Sequence, residues 1–111
     1  MTVEGQLEGA VAQGIGYALF EDFVVDMDNG ATLTDNFTTY RIPTALDLPD
    51  IEVILIEQPV KSGPFGAKGV GEIGLIWVAP AVANAVRNAT GVRVMDLPVT
   101  PEKILGLLKA K

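Results

Sequence analysis

The sequence predicts an α+β domain, and three observations carry that prediction. Apolar residues recur at helical spacing near the start of the chain and twice more in its last third. A run of alternating Ile, Val and Leu at residues 51–57 reads as a strand. The two kinds of pattern follow one another without the strict βαβ rhythm that a doubly wound parallel sheet requires. The expectation is therefore a mixed fold of helices and short strands, a single domain over residues 1–111 with no internal repeat.

The first helix is expected over residues 6–19, where Leu7, Ala10, Val11, Ile15, Ala18 and Leu19 fall at three- and four-residue steps. Gly9, Gly14 and Gly16 each cost about 1 kcal/mol relative to Ala inside a helix, so they imply a neighbour packed very close. A β-hairpin is expected next: Phe23-Val24-Val25 and Ala31-Thr32-Leu33-Thr34 flank an Asn29-Gly30 pair suited to a tight turn. Pro43 and Pro49 punctuate a connector, since each proline fixes its own φ and extends the residue before it. The strand at residues 51–57 is apolar on both faces, which places it centrally in a sheet.

Residues 62–74 hold five of the chain's 12 glycines and read as a loop whose backbone must approach something closely. A second helix is expected over residues 79–89, with Pro80 in its first turn and Thr90-Gly91 as its stop. Val92-Arg93-Val94-Met95 reads as a short strand. Thr100-Pro101-Glu102 is a helix start, with an N-cap hydroxyl, proline at the first position and an acid in the first turn. The helix it opens carries Ile104, Leu105, Leu107 and Leu108.

Composition narrows the function. Apolar residues make up 49% and charged residues 20%, a balance of folded proteins and not of disordered ones. A net charge of −6 with eight scattered basic residues argues against a grip on nucleic acid or on an anionic membrane. The longest apolar stretch, residues 73–83, is too short to span a bilayer, and the first residues have no secretory pattern, so a soluble, cytoplasmic protein is expected. Without cysteine, this chain by itself holds no disulfide, iron-sulfur cluster or thiolate zinc site. Without histidine, any general base is a carboxylate, a lysine or a tyrosine.

Glu72 closes the glycine-rich loop just before an apolar run, where partial desolvation would suit a carboxylate to take up a proton. Gly66, Gly69 and Gly71 free backbone N–H groups to face an anionic ligand, and Lys68 adds a cation. Those residues alone favour an ordinary linker leading into a helix, in which Glu72 merely suits the helix N-terminus. A P-loop is excluded, because Gly69 stands where Ser or Thr must follow the lysine. Gln6 and Gln13 are amides able to contact a polar heterocycle, though exposed amides on a helix are common. The sequons at Asn36 and Asn88 are read as chance matches.

Four separated segments together carry a resemblance. They are Gly5-Gln6-Leu7-Glu8-Gly9-Ala10-Val11-Ala12-Gln13-Gly14-Ile15-Gly16, Tyr40-Arg41-Ile42-Pro43-Thr44-Ala45-Leu46-Asp47-Leu48-Pro49, Gly63-Pro64-Phe65-Gly66-Ala67-Lys68-Gly69-Val70-Gly71-Glu72 and Ala79-Pro80-Ala81-Val82-Ala83-Asn84-Ala85. In this order the chain, over residues 3–108, resembles the C-terminal part of the molybdenum-cofactor subunit of the xanthine dehydrogenase and aldehyde oxidase family.

The resemblance implies a role for each position. In that family the glutamate closing Gly-Val-Gly-Glu is the base that deprotonates a hydroxyl ligand on molybdenum, and Glu72 occupies its place. The activated oxygen attacks an electron-poor carbon of an aldehyde or N-heterocycle. Gln6 matches a cofactor contact, and Lys68, Gly69 and Val70 would lie along the molybdenum-pterin cofactor. No side chain here is assigned as a metal ligand. The implied partners are the remainder of the molybdenum-binding subunit and components bearing iron-sulfur clusters and FAD.

Two departures stand out. Many relatives have Pro-Pro after the glutamate where this chain has Ile73-Gly74, and family subunits are several times longer. The chain is therefore expected to be inactive alone. The alternative expectation is a non-catalytic unit that keeps the motifs and self-associates, or docks on partners, through its apolar surface.

Overall fold

In the computed structural model, which describes residues 1–111, three α-helices form: α1 (Thr2–Leu19), α2 (Val78–Thr90) and α3 (Pro101–Lys109). Single 3₁₀ turns lie at Ala45–Asp47 and Pro64–Gly66. No helix is long and apolar enough to cross a membrane.

Two of the three costly glycines of α1, Gly14 and Gly16, have the close neighbours their cost demands. α1 buries Ala10, Gly14, Ile15, Gly16 and Ala18, and α2 packs against it. A Cβ on Gly14 would fall 2.5 Å from the Cβ of Val78, the first residue of α2. Gly16 is enclosed by the Glu21 carboxylate and by Pro43, whose Cδ would lie 2.9 Å from an added Cβ. Gly9 has nothing within 4 Å, so no neighbour within the chain accounts for it.

The remaining helices start and stop where their capping residues dictate. Gly91 ends α2 at φ 75°, a left-handed conformation that glycine adopts without steric cost, and its N–H donates to the Arg87 carbonyl. The Thr100 hydroxyl accepts from the Lys103 N–H at 3.3 Å and so caps α3. The Val99 N–H donates to the Ala18 carbonyl at 2.7 Å, which ties the segment after α2 to the end of α1. Ala10, Ile15, Ala18, Ala79, Val92 and Val99 form the resulting core.

The strands expected from the sequence are largely absent. The hairpin contracts to one antiparallel bridge between Val25 and Thr32. Its turn is wider than the tight one the Asn-Gly pair favours: Asn29 does not adopt a positive φ, Gly30 sits at φ 74° with its N–H donating to the Asp26 carbonyl at 2.8 Å, and the Asp26 carboxylate accepts from the Asp28 N–H and the Asn29 side chain. Residues 51–57 form no strand, central or otherwise, and residues 48–59 neither donate nor accept a backbone–backbone hydrogen bond. Residues 92–95 likewise stay outside any ladder. The physical reason is common to both segments. A strand is stabilised by its cross-strand partner, and the chain brings no second strand alongside. The architecture is mostly helical, and the α+β expectation holds only in part.

Two local polar contacts fix the connector between α1 and the segment at residue 48. The Tyr40 hydroxyl donates to the Glu21 carboxylate at 2.6 Å, and that hydrogen bond holds the Tyr40 pKa above the ordinary phenol value. The Thr44 N–H and hydroxyl both donate to Asp47 at 2.7 Å and lower its pKa, the N–H more strongly.

Much apolar surface remains uncovered. The accessible area is 8655 Å², against about 5,900 Å² expected for a folded monomer of 11.7 kDa. The radius of gyration is 17.7 Å, where a compact chain of this length has about 13 Å. Ile54, Ile56, Phe65 and Trp77 all stand exposed. Much of the chain's apolar content thus lies on its outside.

Candidate functional site

The glycine-rich loop begins as a closed turn. The Val60 N–H donates to the Gly66 carbonyl at 3.1 Å, the Gly66 N–H to Gly63 at 3.0 Å and the Ala67 N–H to Pro64 at 2.9 Å. Gly66 sits at φ 77° with Pro59 against it, and a Cβ there would fall 2.7 Å from the proline Cβ. Phe65, at φ 54°, shares this left-handed turn and points its ring fully into solvent. A non-glycine residue held in that region is strained, a cost that concentrates at functional sites. Sequence reasoning passed over Phe65. Its only signal was an aromatic residue set in a Gly-Pro-Phe-Gly turn.

Beyond the turn the backbone opens out. Gly69 and Gly71 have nothing within 4 Å of an added Cβ, so the space beside them is free for a ligand or a second backbone. Lys68, Gly69 and Val70 line a groove of about 770 Å³. Val3 and Leu7 of α1 form one wall, and residues 54–59 with Phe65 and Ile73 form the other. Three of the four expected cofactor contacts therefore share one concavity. A shallow depression on α2 at Asn84 and Arg87 holds none of the candidates.

Gln6 and Glu72 flank this groove without lining it. Gln6 precedes Leu7, Glu72 precedes Ile73, and both side chains are exposed. Gly74 fixes their relation, seating on α1 so that a Cβ would fall 3.0 Å from the Ala10 Cβ and 3.4 Å from the Leu7 Cδ2. The Leu75 N–H donates to the Glu72 carbonyl at 3.0 Å, which starts the turns leading into α2. Segments 66 residues apart in sequence thus meet, as the resemblance requires. The Ile73-Gly74 departure also gains a reason, since glycine permits that close seat on the helix. The desolvation expected around Glu72 is not supplied by this chain, which leaves the carboxylate exposed. Gln13 lies exposed on α1 outside the groove.

The groove suits an extended, partly apolar ligand and carries one charge of each sign, Lys68 and Glu57. It offers free backbone beside Gly69, an apolar wall, and a lysine side chain that makes no hydrogen bond or ion pair within the chain. Comparison with known proteins agrees with that chemistry. A family model described as a molybdopterin cofactor-binding domain matches residues 1–49. The chain is 39% identical to a xanthine dehydrogenase molybdenum-binding subunit of Escherichia coli O157:H7, over 94% of this chain and 14% of that protein. It is 44% identical to the aldehyde oxidoreductase molybdenum-binding subunit of Escherichia coli strain K12, over 96% of this chain and 15% of that protein. Its fold matches quinoline 2-oxidoreductase from Pseudomonas putida 86 with a TM-score of 0.89 and 38% identity, covering 98% of this chain and 14% of that one.

These matches identify the chain as a piece of a molybdenum-cofactor-binding protein. The chain belongs to the molybdenum-binding subunits of the xanthine dehydrogenase and aldehyde oxidase family and spans about one seventh of the length of those relatives.

Proposed function

We propose that this chain is the base-bearing part of a molybdenum hydroxylase that oxidises N-heterocycles or aldehydes with oxygen derived from water. One observation carries the reading: Gly74, seated on α1, brings the segment ending in Glu72 against the helix that bears Gln6, beside the groove lined by Lys68, Gly69 and Val70. Lys68 and the open backbone at Gly69 and Val70 would hold the molybdenum-pterin cofactor, and Gln6 would contact it from α1. When bound, the cofactor supplies a two-electron oxidant. Glu72 accepts, at a carboxylate oxygen, the proton of the water-derived nucleophile, and the rest of the subunit supplies the burial that this chain lacks. Iron-sulfur and flavin components carry the electrons away. The protein acts in the cytoplasm.

The test is Glu72→Gln in the assembled enzyme. Molybdenum content stays at the wild-type level while turnover falls by roughly 10²- to 10⁴-fold, the usual worth of a general base. Near-normal turnover sinks the assignment. The exposed Ile54, Ile56 and Trp77 also fit the second reading, a non-catalytic unit that self-associates. Co-expression with neighbouring reading frames separates the two, since that second reading predicts no larger subunit and no molybdenum in the purified material.

A further inference from the structure

Residues 48–59 are the one long stretch whose backbone polar groups have no partner in the chain. Their side chains are not those of a solvated linker. Ile51, Val53 and Leu55 alternate with Ile54 and Ile56, and acidic residues stand near the ends at Asp50, Glu52 and Glu57. Ile51 and Val53 are half-buried, and Ile51 shares a cleft with Gly5, Gly9 and Ala12 of α1. The opposite face, which borders the groove at Lys68, is open, with Ile54 78% and Ile56 82% exposed.

Each feature excludes an alternative. A linker would not place two isoleucines in water. A segment covered only by side chains would leave its N–H and C=O groups unpaired once buried, which costs more than the apolar contact returns. A β-strand alongside satisfies both requirements, because it pairs the backbone while its own side chains extend the apolar face. The chain exposes roughly 2,800 Å² more than a folded monomer of its mass, on the scale of an obligate interface and not of a transient one. The relatives supply the source: six sevenths of their length lies outside the region matched here.

We propose that residues 51–57 form a docking strand, paired along its backbone by an apolar β-strand from the remainder of the molybdenum-binding subunit. The proposal rests on the reading of this chain as part of such a subunit. Ile54 and Ile56 lie under the partner's apolar side chains, and the acidic ends at Asp50 and Glu57 favour basic residues opposite them.

Hydrogen exchange on the complex with the polypeptide carrying the rest of the subunit tests this. Amides of residues 52–57 exchange freely in the chain alone and slow by at least about 100-fold on assembly. Leu55→Pro removes one ladder donor and weakens assembly at least about tenfold. Helix content stays unchanged, because no helix hydrogen bond involves this segment. Ile54→Lys weakens assembly to a similar extent through the side chain. Three results overturn the proposal: no complex forms, the amides stay fast in the complex, or they slow with concentration in the chain alone, which would make a second copy the occupant. The Glu72→Gln assay fails or succeeds independently of these readouts, so loss of the catalytic reading and loss of the docking strand are told apart.

Discussion

Gly14 gives the sharpest test of how this chain is packed. Replacing it with alanine adds one methyl group, and that methyl would fall 2.5 Å from Val78 Cβ, 2.7 Å from Cγ2 and 3.0 Å from Cγ1. Val78 cannot swing aside, because its crowded atoms include the Cβ fixed to the backbone of α2. Overpacking of this kind costs about 1–3 kcal/mol, while alanine in a helix interior returns about 1 kcal/mol. Gly14→Ala is therefore expected to destabilise by about 1 kcal/mol. Gly9→Ala adds the same methyl with nothing within 4 Å, and is expected to stabilise the isolated chain by about 1 kcal/mol. The two variants should differ by about 2 kcal/mol in urea unfolding followed by helical circular dichroism. Gly14→Ala combined with Val78→Gly, which removes the crowded Cβ itself, should recover part of the loss, which a double-mutant cycle reads directly. Equal effects at the two glycines, or no recovery in the double variant, would refute the claim that Gly14 exists to admit α2.

Further outcomes follow from the caps and the connector. Thr100→Ala removes the hydroxyl that accepts from the Lys103 N–H and should cost α3 about 1 kcal/mol, seen as faster amide exchange in its first turn. Tyr40 ionises above the ordinary phenol range because its hydroxyl donates to Glu21, so this contribution to stability is present below about pH 10 and disappears as pH rises through the higher folded value. A phenolate absorbance titration should show that delay, and Glu21→Gln should reduce it; an unchanged titration in the variant would assign the shift to another cause.

The helices were legible because their determinants are local. α3 opens at Pro101 behind Thr100 as the N-cap pattern requires, and α2 exceeds its predicted range by one residue at each end. α1 begins at Thr2 where periodicity started at Gln6, because Val3 and Glu4 carry too little pattern to mark a first turn. Residues 51–57 show the opposite case. Their alternation was real, but alternation records only which faces are apolar, and the strand it predicts needs cross-strand hydrogen bonds that no segment of this chain supplies. The site divides in the same way. Lys68 and Gly69 were marked by glycine density and a charge, Val70 was added only by the resemblance, and all three line one groove. The seat of Gly74 on α1 was invisible, since nothing in the sequence marks a contact across so many residues. The desolvation expected around Glu72 was not found, because this chain leaves the carboxylate exposed.

That seat has a consequence for how the chain tolerates change. The separation between Gln6 and Glu72 is set by a glycine resting on Ala10 and Leu7, not by the length of chain running between them. The exposed turn at residues 27–30 can gain or lose residues without moving the acid, since lengthening a surface loop costs little. A methyl group added at position 74 would crowd the Ala10 Cβ at 3.0 Å, a contact relieved by a shift of a few tenths of an ångström. Insertions are thus cheap over most of this stretch, and the seat of Gly74 is its tight point.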